Sequence, residues 1–167
     1  MNYQSVGSGA GVRQFTANTV DFGASDKPMK EAEIAKVERG VLQIPMTAGA
    51  IAVAYNLEGC DLKLTTEQLA GIFLGKIKNF SELGCADQKL TVVRRSDVSG
   101  TAYNFTKHLS AISDEWKNGP DLIGGNPNPP AGYPIVTFTW ILAYETGNGG
   151  KTTALKKYCK WKTWPSA

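Results

Sequence analysis

Three segments of this chain share one pattern, in which an apolar stretch leads into glycine or hydroxyl residues and then into a predicted helix. They are residues 3–11 (YQSVGSGAG), 20–26 (VDFGASD) and 93–101 (VRRSDVSGT). Unpaired backbone N–H groups at a helix N-terminus attract anions. Alternating strand and helix signals predict an α/β fold with a mainly parallel sheet and flanking helices, whose ligands collect at the carboxyl ends of the strands. All three segments lie at such ends, so we expect an oxyanion receptor.

The predicted elements alternate along most of the chain. Strands are expected at residues 2–6, 22–24, 41–45, 48–56, 90–94 and 135–144. Helices are expected at residues 12–19, 26–39, 65–74, 101–117 and 152–164, with Asp26 as the N-cap of the second helix. The pattern breaks at residues 118–134, which are rich in proline and glycine and therefore read as a linker.

The side chains of the three segments suit an anion that still carries a proton. Arg95 can give a two-pronged, charge-assisted contact to an oxyanion, and Asp97 could orient its guanidinium group. Asp26 could accept a hydrogen bond from a protonated phosphate but would repel a fully ionised sulfate. The remaining candidate donors are the backbone and hydroxyl groups of Ser8, Gly9, Ser99, Gly100 and Thr101. Taken singly, these residues are equally explained as tight turns or ordinary helix caps.

Other binding and catalytic motifs fit less well. The glycines of residues 7–11 lack the spacing of a dinucleotide-binding turn. Residues 145–152 (ETGNGGKT) resemble a P-loop, but Glu145 replaces its first glycine and would oppose a phosphate group. Ser99 and His108 could belong to a hydrolytic triad, but they lie about two helical turns apart, too far for a hydrogen bond. We therefore predict that the chain is not an enzyme.

The composition excludes several other classes of function. The net charge is +3 and the basic residues are scattered, except for lysines near residue 160 that read as a solvated helix face, so no nucleic-acid partner is expected. No stretch approaches the roughly 18 to 20 apolar residues of a membrane helix. The single histidine and the lack of a Cys-x-x-Cys pair argue against a zinc site, and no cofactor is expected.

Two of the three cysteines are candidates for a disulfide. Cys60 and Cys85 each follow a glycine, and they flank a predicted helix. A bridge between them would contribute on the order of 3 kcal/mol by the chain-entropy estimate. Buried free thiols are the alternative, and the choice depends on whether the compartment is oxidising. Cys159 is expected to pack under the last helix.

Five longer motifs resemble the phosphate-binding proteins of high-affinity phosphate ABC transporters. They are NYQSVGS at 2–8, VDFGASD at 20–26, FLGKIKN at 73–79, VVRRSDVSGT at 92–101 and YPIVTFTWIL at 133–142. The resemblance implies a two-lobed binding protein of periplasmic type II, in the periplasm or at the cell surface, which hands inorganic phosphate to a membrane permease. Carried over by motif, the phosphate contacts would be Ser8, Asp26, Arg95, Ser99, Gly100 and Thr101, supported by Gly9 and Asp97.

The resemblance also implies a division into lobes. Residues 1–50 and 133–167 would form the first lobe, residues 51–117 part of the second, and residues 118–132 a linker. The family usually begins with a strand and a loop that add phosphate contacts, and it carries a longer segment where this chain has residues 118–132. The second lobe is therefore expected to be incomplete, with apolar surface that a partner chain could cover. Three accounts stay open: part of a longer receptor, a shortened receptor that binds weakly, or a non-binding scaffold or docking subunit.

Overall fold

The computed structural model describes residues 2–118 and 135–159. In chain order its helices and strands are α1 (Ser8–Thr16), β1 (Phe22–Ser25), α2 (Glu31–Ile34), β2 (Leu42–Ala50), α3 (Thr66–Phe73), α4 (Gly100–Ile112), β3 (Val136–Ala143) and α5 (Thr152–Cys159). Short 3₁₀ helices occupy Phe80–Leu83, Asp114–Asn118 and Gly149–Lys151. The predicted linker at 118–132 lies outside the described residues except for Asn118, and so does the end of the last predicted helix.

The three strands form one sheet in the order β1-β3-β2, and β3 is antiparallel to both neighbours. The prediction of a mainly parallel sheet is therefore wrong. β1 and β2 do run in the same direction, as the alternating pattern implied, but β3 returns from beyond the proline-rich segment and lies between them. Ala143 of β3 stands opposite Phe22 of β1 and Leu42 of β2, which fixes the register at one end of the sheet.

Several predicted elements are shorter than expected or absent. Residues 2–6 and 90–94 form no strand, and Val93 in the second of these segments is 87% exposed. The helix expected at residues 26–39 is reduced to the four residues of α2, whose N-cap is Lys30 rather than Asp26. Pro28 disfavours a helix start at Asp26, because a proline disfavours the helical conformation in the residue before it, here Lys27. Asp26 is therefore a loop residue.

Of the three buried clusters in the described residues, one lies within the sheet around Ile44 and Ile141, and two pack the helices. One of these two lies between α1 and the end of β3, where the rings of Phe15 and Tyr144 stack with centroids 4.2 Å apart and the Tyr144 hydroxyl donates to the Phe15 carbonyl at 2.7 Å. The other packs α3 against α4 through Leu69 and Leu109. The predicted division into two lobes stays a prediction.

The connection around α3 is closed by a disulfide between Cys60 and Cys85, whose Cα atoms are 5.6 Å apart. This Cα distance lies within the usual range for a disulfide. The bridge joins the loop before α3 to the residues just after the 3₁₀ helix Phe80–Leu83, so it restrains the segment that carries both helices. The prediction that Cys159 packs under the last helix concerns a side chain that lies outside the described part of the structure.

Candidate functional site

The N-terminus of α4 lies directly against the start of α1 and the loop after β1. Gly100, the first residue of α4, is the point of closest approach. A Cβ atom added there would lie 2.5 Å from Ser8 Oγ and 2.7 Å from Asp26 Cβ, so only glycine fits. The Ser8 hydroxyl also accepts a hydrogen bond from the Asp26 N–H at 3.1 Å. Three residues that are distant in the sequence therefore meet at one place.

Ser99 starts α4 as an N-cap. Its hydroxyl oxygen accepts a hydrogen bond from the Ala102 N–H at 3.2 Å, and the residue is 5% exposed. Serine is preferred at this position because it satisfies one N–H of the first turn. The first turn of α4 contains no acidic residue. The positive end of the helix dipole and the first N–H groups face the region of Ser8 and Asp26. No carboxylate in the first turn of α4 neutralises this positive end.

Arg95 and Asp97 form an ion pair beside the start of α1. Arg95 Nε donates to Asp97 Oδ1 at 2.7 Å, and Arg95 Nη2 donates to Asp97 Oδ2. This hydrogen bonding lowers the pKa of Asp97 and raises the pKa of Arg95. A Cβ atom on Gly7 would lie 2.9 Å from Arg95 Nη2, so the guanidinium group sits over the N-cap of α1. Two of its five N–H donors are used by Asp97, and the others can serve an anion.

The other two predicted residues have different surroundings. The Gly9 N–H donates to the Val98 carbonyl at 3.2 Å, so its donor is already used. A Cβ atom on Gly9 would lie 2.5 Å from Val98 Cβ, which makes Gly9 a close-packing position. Thr101 is exposed at the first turn of α4. The structure therefore brings Ser8, Asp26 and Gly100 into one site and leaves Thr101 at its edge.

Three residues that the sequence analysis missed hold Asp26 in place. Asn104 Nδ2 lies 2.7 Å from the Asp26 carbonyl oxygen, and the Thr137 hydroxyl donates to the same oxygen at 3.0 Å. The Thr139 hydroxyl donates to Asp26 Oδ1 at 2.8 Å. Periodicity places Asn104 one helical turn beyond Gly100 and puts Thr137 and Thr139 on one face of β3. It does not place these residues beside Asp26, because those contacts join distant parts of the chain.

A groove of about 800 Å³ runs along β1 and residues 2–6, but it is lined by none of the predicted anion contacts. Both cations in its wall are engaged. Lys151 Nζ pairs with the carboxylate of Asp21 at 2.7 and 2.8 Å, and Arg39 donates to Asn18 and to backbone carbonyls. The P-loop-like segment is thus a glycine turn whose lysine is bound elsewhere. The start of α4 is therefore the candidate anion site.

Among residues 2–118 and 135–159, no group of three or more histidine, cysteine, aspartate or glutamate residues is placed to hold a metal ion. Within the same ranges, no helix has the length and apolar character needed to cross a membrane.

The sequence matches the family described as PBP superfamily domain over residues 1–124. The phosphate-binding protein PstS of Xylella fastidiosa strain Temecula1 is 43% identical over 129 residues, covering 70% of this chain and 35% of that protein. PstS of Pasteurella multocida is 44% identical over 163 residues, covering 90% of this chain and 42% of that protein. The chain thus spans well under half the length of these curated relatives.

Solved structures share the fold at low sequence identity. A phosphate-binding protein from Stenotrophomonas maltophilia superposes with a TM-score of 0.77 at 19% identity, covering 99% of this chain and 78% of that one. A putative phosphate ABC transporter substrate-binding protein from Clostridium perfringens, solved with bound phosphate, gives 0.68 at 19% identity, covering 95% and 80%. The relatives are named as binding proteins and receptors, which confirms the prediction of a non-enzymatic family. The chain belongs to the PBP superfamily, and within it the chain is PstS-like.

Proposed function

We propose that this chain binds inorganic phosphate at the start of α4. The observation that carries the proposal is the meeting of a helix N-terminus with Ser8 and Asp26, next to an arginine held by Asp97. The helix end and the guanidinium group supply positive potential and N–H donors. The resemblance of the chain to phosphate-binding PstS proteins supports phosphate as the anion.

Asp26 would make the site selective. Its carboxylate repels an anion that has no proton to donate, and sulfate is fully ionised near neutral pH. Monohydrogen and dihydrogen phosphate each carry a proton that the carboxylate can accept. Asp26 is thus a hydrogen-bond acceptor in a site made of donors. It discriminates between phosphate and sulfate, which are similar in size and shape, because sulfate cannot donate the hydrogen bond that phosphate can.

The wider role follows from the relatives. We propose that the protein is an extracytoplasmic receptor of an ABC-type phosphate import system, and that it passes phosphate to a membrane permease. One solved neighbour is described as a periplasmic phosphate-binding protein, and another as an ABC-type phosphate transport receptor. Capture would use closure of the two proposed lobes, formed by residues 1–50 with 133–167 and by residues 51–117, around the anion.

A docking or scaffold subunit on the same fold is the second candidate. It is favoured by exposed apolar side chains, including Val93 at 87% and Phe138 at 46% exposure. A partner chain could cover this surface. The two candidates differ in one observable, because a ligand that binds only the folded state raises the midpoint of thermal unfolding. A docking subunit without a phosphate site would melt at the same temperature with and without phosphate.

Equilibrium dialysis against phosphate and against sulfate tests the binding site itself. Arg95→Ala removes a charge-assisted contact and should weaken phosphate binding by about 10- to 150-fold. The matched control is Arg94→Ala, which removes an equal charge from the neighbouring exposed residue and should have little effect. Asp26→Asn should lower the preference for phosphate over sulfate. Equal affinities in the wild type, Arg95→Ala and Asp26→Asn proteins would refute the site.

A further inference from the structure

Asp26 receives hydrogen bonds at two separate atoms from two different elements. Its carbonyl oxygen lies 2.7 Å from Asn104 Nδ2 on α4 and 3.0 Å from the Thr137 hydroxyl on β3. Its carboxylate oxygen Oδ1 accepts from the Thr139 hydroxyl at 2.8 Å. The backbone and the side chain of this loop residue are therefore both fixed from outside the loop.

Asn104 is fully occupied by the fold. Its amide nitrogen has two hydrogens, but three acceptors lie within 2.9 Å: the carbonyl oxygens of Asp26 and Gly100 and the Thr137 hydroxyl. One hydrogen is therefore shared, and the amide group has no donor to offer an anion. Asn104 joins the first residue of α4 to the loop that carries Asp26, so it sets the distance between the helix N-terminus and the carboxylate.

Thr139 orients the carboxylate. A carboxylate oxygen that accepts a hydrogen bond at 2.8 Å cannot rotate freely about the Cβ–Cγ bond. The hydrogen bond from β3 holds Oδ1, which leaves Oδ2 as the oxygen that can accept a hydrogen bond from a ligand. The hydroxyl thus acts on the ligand only through Asp26.

We propose that Asn104, Thr137 and Thr139 are positioning residues that hold Asp26 against the N-terminus of α4 and thereby determine the selectivity of the site. The selectivity part of this inference rests on the proposed phosphate site. The hold on Asp26 does not, because its hydrogen bonds are made within the chain. The two parts can therefore be tested separately on the same set of variants.

The first test needs no ligand. A double-mutant cycle combines Thr139→Val with Asp26→Ala and measures unfolding in urea. Comparing Thr139→Val in the two backgrounds cancels any effect of valine on strand stability. Thr139→Val should lower the urea midpoint in the wild-type background and have no such effect in the Asp26→Ala background. An equal change in both backgrounds would show that Thr139 does not act on Asp26 and would overturn the proposal.

The second test measures the ratio of the dissociation constants for sulfate and phosphate. Thr139→Val and Asn104→Ala should each reduce this ratio by about tenfold, the effect of one lost hydrogen bond. Thr139→Ser, which keeps the hydroxyl, should restore it. Thr106→Val is the control, because the Thr106 hydroxyl bonds to the Tyr103 carbonyl at 3.0 Å within the same helix, so the ratio should stay at the wild-type value.

The outcomes separate this inference from the proposed function. A wild-type protein that binds phosphate, with a ratio unchanged within twofold in Thr139→Val and Asn104→Ala, overturns the selectivity role. A ratio that falls equally in Thr106→Val overturns it as well, because the effect would then be a general loss of packing. A wild-type protein that binds no phosphate refutes the proposed function and the selectivity role together, while the urea cycle still decides whether the network holds Asp26.

Discussion

Replacing Gly100 with alanine should separate the two halves of the anion site. The added Cβ atom would lie 2.7 Å from Asp26 Cβ, about 0.8 Å short of the closest comfortable carbon contact. It would also lie 2.5 Å from Ser8 Oγ and 3.1 Å from the Asp26 carbonyl carbon, so rotating one side chain cannot relieve the overlap. The start of α4 must therefore move away from the loop after β1.

The size of the effect can be estimated from opposing contributions. Overpacking of this kind costs about 1–3 kcal/mol, and stretching the 2.7 Å bond from Asn104 to Asp26 by a similar shift adds about 1 kcal/mol. The better helix propensity of alanine returns at most about 1 kcal/mol. We expect a net loss of about 2 kcal/mol, which corresponds to a fall of about 4–8 °C in the unfolding midpoint for a chain of this length.

Thermal unfolding followed by circular dichroism is the assay, and Gly71→Ala in α3 is the matched control. A Cβ atom on Gly71 would meet only the flexible side chain of Ile77, at 3.2 Å from Cδ1, so this variant should be as stable as the wild type or more stable. Gly100→Ala should also weaken phosphate binding. The reasoning fails if Gly100→Ala melts at the wild-type temperature, or if both variants lose the same stability.

Three further predictions concern stability. The disulfide between Cys60 and Cys85 closes a separation of 25 residues, so reducing it should lower the free energy of unfolding by about 3.5 kcal/mol through loop entropy. Calorimetry should show a clear drop in the unfolding midpoint when reductant is added, and an unchanged midpoint would contradict the prediction. Because Arg95 lowers the pKa of Asp97, the pair stabilises the fold above about pH 4 and is lost as the pH falls through the lowered pKa. The small stability difference between wild type and Asp97→Asn at pH 7 should therefore shrink as the pH is lowered below about 4, whereas a difference independent of pH would exclude the pair as its cause. Tyr144→Phe removes the 2.7 Å donor of the Phe15 carbonyl, which keeps the Asn18 N–H at 3.0 Å, and should cost about 0.5–1.5 kcal/mol in urea unfolding; an unchanged urea midpoint would show that the bond adds nothing.

The candidate site could be predicted from the sequence to the extent that its residues lie in short motifs at helix starts. Ser99 and Gly100 are an N-cap and the first helical residue of α4, and these roles depend on neighbours along the chain. The pairing of Arg95 with Asp97 is likewise local. Asp26 was assigned to the same site for its carboxylate, although the helix start expected there lies instead after Lys30. Whether these residues contact phosphate stays a prediction.

The sheet topology could not be predicted, because it depends on a contact between distant parts of the chain. Alternating strand and helix signals describe neighbours in sequence. They predict the strand after the proline-rich segment, but they do not say which strands it pairs with or in which direction. That strand, β3, enters between β1 and β2 and makes the sheet antiparallel. The same strand supplies Thr137 and Thr139, so the support of Asp26 was missed for the same physical reason as the topology.

The most direct test of the central claim is isothermal titration calorimetry of the purified wild-type chain with phosphate and, separately, with sulfate at pH 7. The account predicts saturable binding of one phosphate per chain and a sulfate affinity lower by at least about tenfold, the value of one discriminating hydrogen bond. Absence of phosphate binding, or equal affinities for the two anions, would contradict it.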